Sequence, residues 1–263
     1  HLTRHFDAGR TAACLATERV EALVVVPTML QRFLNARSEL SGLKRVVSGG
    51  APLSPQLAVE AGARIGPTLF NLYGTSEAGV AVMATPDDLA AAPDTIGRAI
   101  WGVSIDIRDT AGRSLAEGEI GGLWVRSSLA SAAGQWLDTG DLALRDRAGR
   151  LFLRGRADDM IVSGGENVSP WEIERVLLSH PQVRDAAAIG VADTAYGQRL
   201  LAFVVPREGK GVDVKCLDEW LAPRLARYQR PREIRRLEAM PLTSVGKIDK
   251  RALATAAGSD LPA

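Results

Sequence analysis

"DLALRDRAGRLFLRGRADDMIVSGGENVSPWEIE", residues 141–174, changes character twice. Its first half alternates apolar and polar residues at the two-residue period of a half-buried strand, in DLALRD and again in RLFLRGR. RDRAGR between them places Gly149 where a hairpin turn needs a glycine. From Arg156 the chain is polar and glycine-rich through ADDMIVSGGEN. Ser169-Pro170-Trp171-Glu172 then spells a capping box with proline at the first helical position, and Ile173, Val176 and Leu177 share one face of the helix it opens. One folding unit therefore ends and another begins, with the boundary near Arg156 to Asp158: residues 1–157 form the first unit and 158–263 the second.

Upstream, VSIDIRD and GEIGGLWVRS join the two strand patterns above in a small antiparallel sheet or barrel. Further upstream the pattern is mixed: a helix-like 8–19, the apolar run ALVVVP (22–27), a helix, LKRVVSGG (43–50), another helix and PTLFNLYG (67–74). Strands alternating with helices at this spacing predict parallel βαβ units, with both glycine-bearing turns at strand C-terminal ends, where such sheets bind ligands. Downstream, two apolar strands (about 183–191 and 199–206), a helix with Val214, Leu217 and Leu221 on one stripe, and a short strand near 233–238 predict an α+β unit of roughly 100 residues. The fold class is α/β: a βαβ layer with a small antiparallel β-barrel-like subdomain, followed by a small α+β domain.

Composition narrows the partners. Lys plus Arg is 32 against 31 for Asp plus Glu, so no strong net field draws the chain to nucleic acid or an anionic membrane. No apolar run reaches the ~18 residues a membrane helix needs. Cys14 and Cys216 are far apart and only His1, His5 and His180 are histidines, which excludes a disulfide framework and a Cys/His metal site and fits a reducing, cytoplasmic setting. Of the 32 basic residues only five are lysine, at 44, 210, 215, 247 and 250, and two of them fall in PLTSVGKIDK (241–250).

Four stretches stand in one order: SGGAPL (48–53), NLYGTSEAG (71–79), WLDTGDLALRD with the run to residue 174, and PLTSVGKIDKRAL (241–253). Together they resemble the adenylate-forming superfamily, which includes acyl-CoA synthetases, luciferases and the adenylation domains of peptide synthetases. The resemblance covers the whole chain but only the later part of a family member. The early Ser/Thr/Gly-rich phosphate loop is not found, so the chain reads as a C-terminal fragment missing the N-terminal part of the same enzyme, and inactive in adenylation by itself. LASAAGQ (129–135) also replaces a longer segment of relatives, which puts the loop near the ribose site in question.

The resemblance implies roles residue by residue. Gly49, Gly50 and Ala51 leave backbone bare at a strand end and would form, with Tyr73, the adenine slot; alone they would read as a tight turn and a core tyrosine. Thr75 would bond a phosphate and Glu77 would offer a hard oxygen to Mg²⁺. Asp141 would accept from the ribose diol, its rival role being to cap its own turn. Arg156 would hold ribose and phosphate, or else form a salt bridge. Asp158 matches the hinge position, Gly165 in SGGEN lies beside the pantetheine channel, and Tyr228 and Arg230 match CoA contacts. Lys247, after Gly246, matches the lysine that steadies the acyl carboxylate and α-phosphate, whereas Lys250 reads as a solvated neighbour whose loss is silent.

The implied activity is an acid:CoA ligase using ATP, Mg²⁺, CoA and a small-molecule carboxylic acid. Gly50, Ala51, Val80 and Val82 are small and apolar, which favours a fatty or aromatic acid. Transfer to a carrier protein is the alternative acceptor chemistry. Two other classes compete. GTSEAG nearly reads Gly-x-Ser-x-Gly, a serine hydrolase elbow with His180 downstream, but Ala78 stands where the second glycine belongs. A non-catalytic interaction module is the other.

Overall fold

Residues 6–36, 40, 42–128, 134–194, 196–207, 209, 211–243 and 247–258 are described by the computed structural model, and they fall into two units, 1–153 and 154–263. Apolar runs at short spacing build the first sheet. Helix α1 (Ala8–Thr17) leads to β1 (Ala22–Val25), α2 (Pro27–Asn35), β2 (Arg45–Gly49), α3 (Pro55–Ile65) and β3 (Leu69–Thr75). Strands β1, β2 and β3 pair in parallel, as their spacing predicts. Two further strands extend this sheet antiparallel, β4 (Gly79–Ala84) and, after α4 (Pro86–Ala91), β5 (Arg98–Ala99), giving the order β1-β2-β3-β4-β5. Proline at the first turn and a side-chain cap start α3, where the Ser54 hydroxyl accepts from the Leu57 N–H at 3.2 Å. Leu30, Phe33, Leu57 and Ala61 on these helices pack against Val46 and Leu69 of the sheet.

Strands β6 (Val103–Arg108), β7 (Gly121–Ser127), β8 (Trp136–Arg145) and β9 (Leu151–Arg156) form a second sheet in that order. Its apolar face, with Leu123 and Val125, packs with Ala81 and Val82 of β4. The turn at RDRAGR closes as its sequence predicts: Gly149 takes φ 76° and the Asp146 N–H donates to the Arg150 carbonyl at 2.9 Å.

The division between the units falls at Leu153–Arg154, before the Arg156–Asp158 region that the sequence suggests. The reason is local packing. The Ser169 hydroxyl donates to the Arg154 carbonyl at 3.3 Å, the Arg154 guanidinium lies 4.9 Å from the Trp171 ring centroid, and Gly155 (φ 102°) approaches Trp171 so closely that a Cβ would sit 3.1 Å from that side chain. The predicted capping box therefore does not form. Ser169 bonds Arg154 instead of α5 amides, and the Glu172 carboxylate accepts from the Gln229 amide.

The second unit runs β10 (Ile161–Ser163), β11 (Glu166–Val168), α5 (Pro170–Leu178), β12 (Val183–Asp193), β13 (Gly197–Pro206), α6 (Val214–Leu221), a 3₁₀ turn (Arg227–Gln229), β14 (Glu233–Arg236) and α7 (Lys250–Ala256). Its sheet has the order β11-β10-β13-β12, with β14 parallel to β13. The β12–β13 hairpin is apolar on both faces because both are covered. Ala186, Ala188, Leu200 and Val204 meet Ile173, Leu177, Leu217 and Leu221 of α5 and α6. Ile189, Leu201 and Phe203 meet Met240 and Leu253 on the other side. Among the described residues no helix is long and apolar enough to cross a membrane.

Candidate functional site

Two β-bulges shape the first unit's candidate site. In β8, Leu142 pairs with Gly122 and Asp138 with Trp124, so Thr139, Gly140 and Asp141 together oppose the single residue Leu123. Gly140 permits this by taking φ 71°, and the Thr139 hydroxyl donates to the Leu123 carbonyl at 2.9 Å while accepting from the Asp141 N–H at 3.2 Å. Such a bulge re-aims a side chain out of the regular pleat. On β3 and β4, Tyr73 pairs with Val82 but Gly74 with Val80, leaving Ala81 extra. Gly74 cannot be replaced without disruption, because a Cβ there would lie 2.2 Å from the Gly79 carbonyl oxygen.

The outcome is that the Tyr73 hydroxyl donates to Asp141 Oδ2 at 2.5 Å. Two predicted site residues, 68 positions apart, meet. Beside Tyr73, Leu72 pairs with Gly49 on β2, and Gly50 follows at φ 79°. A Cβ on Gly49 would sit 3.3 Å from the Leu72 carbonyl oxygen, a tight contact that a bare backbone avoids. Thr75 closes the next turn by accepting the Ala78 N–H at 3.1 Å, and its hydroxyl can still donate. Glu77 is exposed on that turn. Among the described residues no three carboxylate, imidazole or thiol groups converge on a metal position. Sequence reading passed over Ser48, whose buried hydroxyl, one residue before Gly49, has no hydrogen-bond partner among the described residues.

The remaining predicted residues lie in the second unit. The Arg156 guanidinium donates to Asp158 through Nε at 2.8 Å and Nη2 at 3.0 Å, and this ion pair lowers the Asp158 carboxyl below the usual range. Gly164 and Gly165, at φ 61° and 85°, form a two-residue turn between β10 and β11 with positive φ at both positions, which needs glycine. Tyr228 is exposed in the 3₁₀ turn. Arg230 donates to the Ala222 carbonyl at 2.9 Å and the Leu225 carbonyl at 3.5 Å, at the end of α6. Lys247 is exposed, and its loop is closed by the Thr243 N–H donating to the Lys247 carbonyl at 2.7 Å. Gly246 lies outside the described residues.

His180 offers no sign of hydrolase chemistry. Its Nδ1 accepts the Gln182 N–H at 3.2 Å and its ring packs edge-on against Trp220, 5.0 Å between centroids. Burial and the nearby Arg224 cation hold its pKa below that of an ordinary imidazole.

This architecture is that of the adenylate-forming enzymes. It aligns with the solved amide bond synthetase McbA from Marinactinospora thermotolerans at 33% identity and TM-score 0.90, covering 97% of this chain and 56% of that one. With ATP-bound MatB from Rhodopseudomonas palustris the identity is 26% and the TM-score 0.87, over 97% and 54% of the two chains. The chain belongs to the AMP-binding enzyme family: residues 1–134 match the AMP-binding enzyme family and residues 172–247 match the AMP-binding enzyme C-terminal domain. A curated relative, the indoleacetate–CoA ligase of Aromatoleum aromaticum, is 32% identical over 264 residues, covering 93% of this chain and 51% of the relative. The chain thus spans about half the length of the relatives it matches.

Proposed function

We propose that the chain serves an ATP-dependent acid ligase. A carboxylate attacks the α-phosphorus of ATP, releasing pyrophosphate and forming an acyl-adenylate; the thiol of CoA then attacks the acyl carbon and AMP leaves. The observation that carries this reading is the Tyr73–Asp141 hydrogen bond beside the glycine turn at 49–50. It sets a flat ring, a bare backbone and a carboxylate acceptor together, which is what a purine and a ribose diol require. Thr75 would hold a phosphate oxygen, and Glu77 would hold Mg²⁺, which would supply charge neutralisation for the pyrophosphate. Lys247 steadies the negative oxygens of the first step. Asp158 is the proposed hinge, and residues 1–157 and 158–263 the proposed functional domains. Gly165 lies on the face serving the thiol step.

The acid is uncharged beyond its carboxylate, aromatic or fatty. Supporting this, Val80 is an exposed apolar side chain beside the β4 bulge opposite Tyr73, and one relative is an indoleacetate–CoA ligase. A second reading, transfer to an amine, is favoured by one geometric point: the Arg230 guanidinium, expected to meet CoA, already serves the Ala222 and Leu225 carbonyls just after α6. The likeness to an amide bond synthetase supports the same reading.

In the full-length enzyme, acid-dependent exchange of pyrophosphate into ATP, run over a panel of indoleacetate, octanoate and malonate, tests the first step. Exchange with the first two and none with malonate is expected. No exchange with any acid would overturn the ligase. Supplying CoA or a primary amine to the loaded enzyme then assigns the acceptor.

A further inference from the structure

Lys250 is the second lysine of PLTSVGKIDK, and its surroundings differ from those of an exposed surface lysine. Its Nζ lies 2.9 Å from Asp159 Oδ2 and 3.4 Å from Glu174 Oε1, with the side chain only 30% exposed. Glu174 Oε1 also accepts the Ala188 N–H at 3.0 Å, so the ammonium is tied through it to β12 as well as α5. Burial pulls the ammonium's pKa down, but the Glu174 and Asp159 carboxylates more than reverse this, and the group stays charged above the ordinary lysine range.

Lys250 is also the first residue of α7, directly below the Lys247 loop. Asp249 caps α7 by accepting the Ala252 N–H at 3.0 Å, and its own N–H donates to the Pro241 carbonyl at 2.8 Å. Ile248 bridges to Leu242, and the Lys247 N–H donates to Thr243 Oγ1 at 3.2 Å. The loop therefore stands on a closed stem, and the stem is strapped at Lys250 to the residue that follows Asp158. The compact ammonium reaches both carboxylates at once.

We infer that Lys250 is a positioning residue for Lys247, the Asp159–Lys250–Glu174 ion triad fixing the stem of the Lys247 loop to the segment after Asp158 and to α5. This rests on the reading that Lys247 acts in adenylation. In the full-length enzyme, Lys250→Met is expected to lower kcat for pyrophosphate exchange about 10-fold with the KM for ATP nearly unchanged. Acyl transfer from preformed acyl-adenylate should stay within about 3-fold, and Lys250→Arg should recover part of the loss. Adding Lys250→Met to Lys247→Ala should slow exchange no further, which a purely structural role would not produce. A wild-type exchange rate in Lys250→Met, an equal loss in both half-reactions, or a full additional loss in the double variant would overturn the inference. Hydrogen exchange separates it from the parent reading: the amides of Thr243, Lys247 and Asp249 should exchange about 10-fold faster in Lys250→Met whatever the reaction is. Unchanged protection there would also overturn it. If the Met variant does not fold, Asp159→Asn carries the same comparisons.

Discussion

Lys247 is a single compact charge on a flexible stem, and the proposed chemistry makes its contribution specific to one step. Lys247→Ala is expected to lower the adenylation rate by ~100-fold, the ~2.7 kcal/mol scale of a lost electrostatic stabiliser, with acyl transfer from preformed acyl-adenylate within a few-fold. Rapid-quench assays of each half-reaction check this, and equal losses in both would contradict it. Tyr73→Phe removes one donor to a carboxylate and should raise the KM for ATP about 10-fold, in line with the ~1.5–3 kcal/mol of a hydrogen bond to a charged group. His180 gives a residue-level pH effect. Its folded pKa lies below that of the unfolded imidazole, about 6.5, because of burial and then Arg224. Its stabilising contribution is thus complete above the unfolded value and is lost as pH falls toward the folded one, where the unfolded chain binds the proton more readily. Melting curves from pH 8 to 5 should show wild type losing more stability than His180→Asn.

At the scale of elements, bulges and close approaches matter more than strand length. The first unit's two sheets join at Gly97, whose carbonyl accepts the Leu151 N–H at 2.8 Å. Gly97 has φ 95°, and a Cβ there would fall 2.0 Å from the Met83 carbonyl oxygen. Gly97→Ala therefore combines strained backbone with overlap against rigid main chain and should destabilise the protein by about 3 kcal/mol, read as a lowered urea midpoint. A change below about 0.5 kcal/mol would mean that the two sheets slide apart freely. Strands β1 to β3 were legible because apolar runs and glycine turns report local geometry. Strand β4 was not singled out, since GVAVMA follows β3 after only a short turn and reads as part of the same motif. The β10–β11 hairpin hid in a polar, glycine-rich stretch whose signal is the Gly164–Gly165 pair itself. The Ser169 hydroxyl is turned to donate to the Arg154 carbonyl and makes no bond to the α5 amides, an orientation set by tertiary packing that the local motif does not encode.

For the whole molecule, the proposed hinge at Asp158 is the testable point. Proline fixes φ near −65° and removes a donor, so Asp158→Pro is expected to leave adenylation within a few-fold while lowering acyl transfer by ~10-fold or more. Asp158→Ala, which also removes the Arg156 ion pair but keeps a free backbone, should spare both steps. If the alanine variant fails like the proline one, the ion pair and not the backbone is responsible. The alternation of β1 to β3 with their helices, the apolar character of β12 and β13 and the motif residues were readable in the chain itself, because periodicity and turn chemistry follow from geometry within a few residues. The partners of polar side chains were not. Tyr73 finds Asp141 only through two bulges, Arg230 turns to the carbonyls just after α6, and Lys250 meets Asp159 across 91 positions. Such pairings depend on register and packing between distant segments, and a charge carries no local mark of the charge it will face.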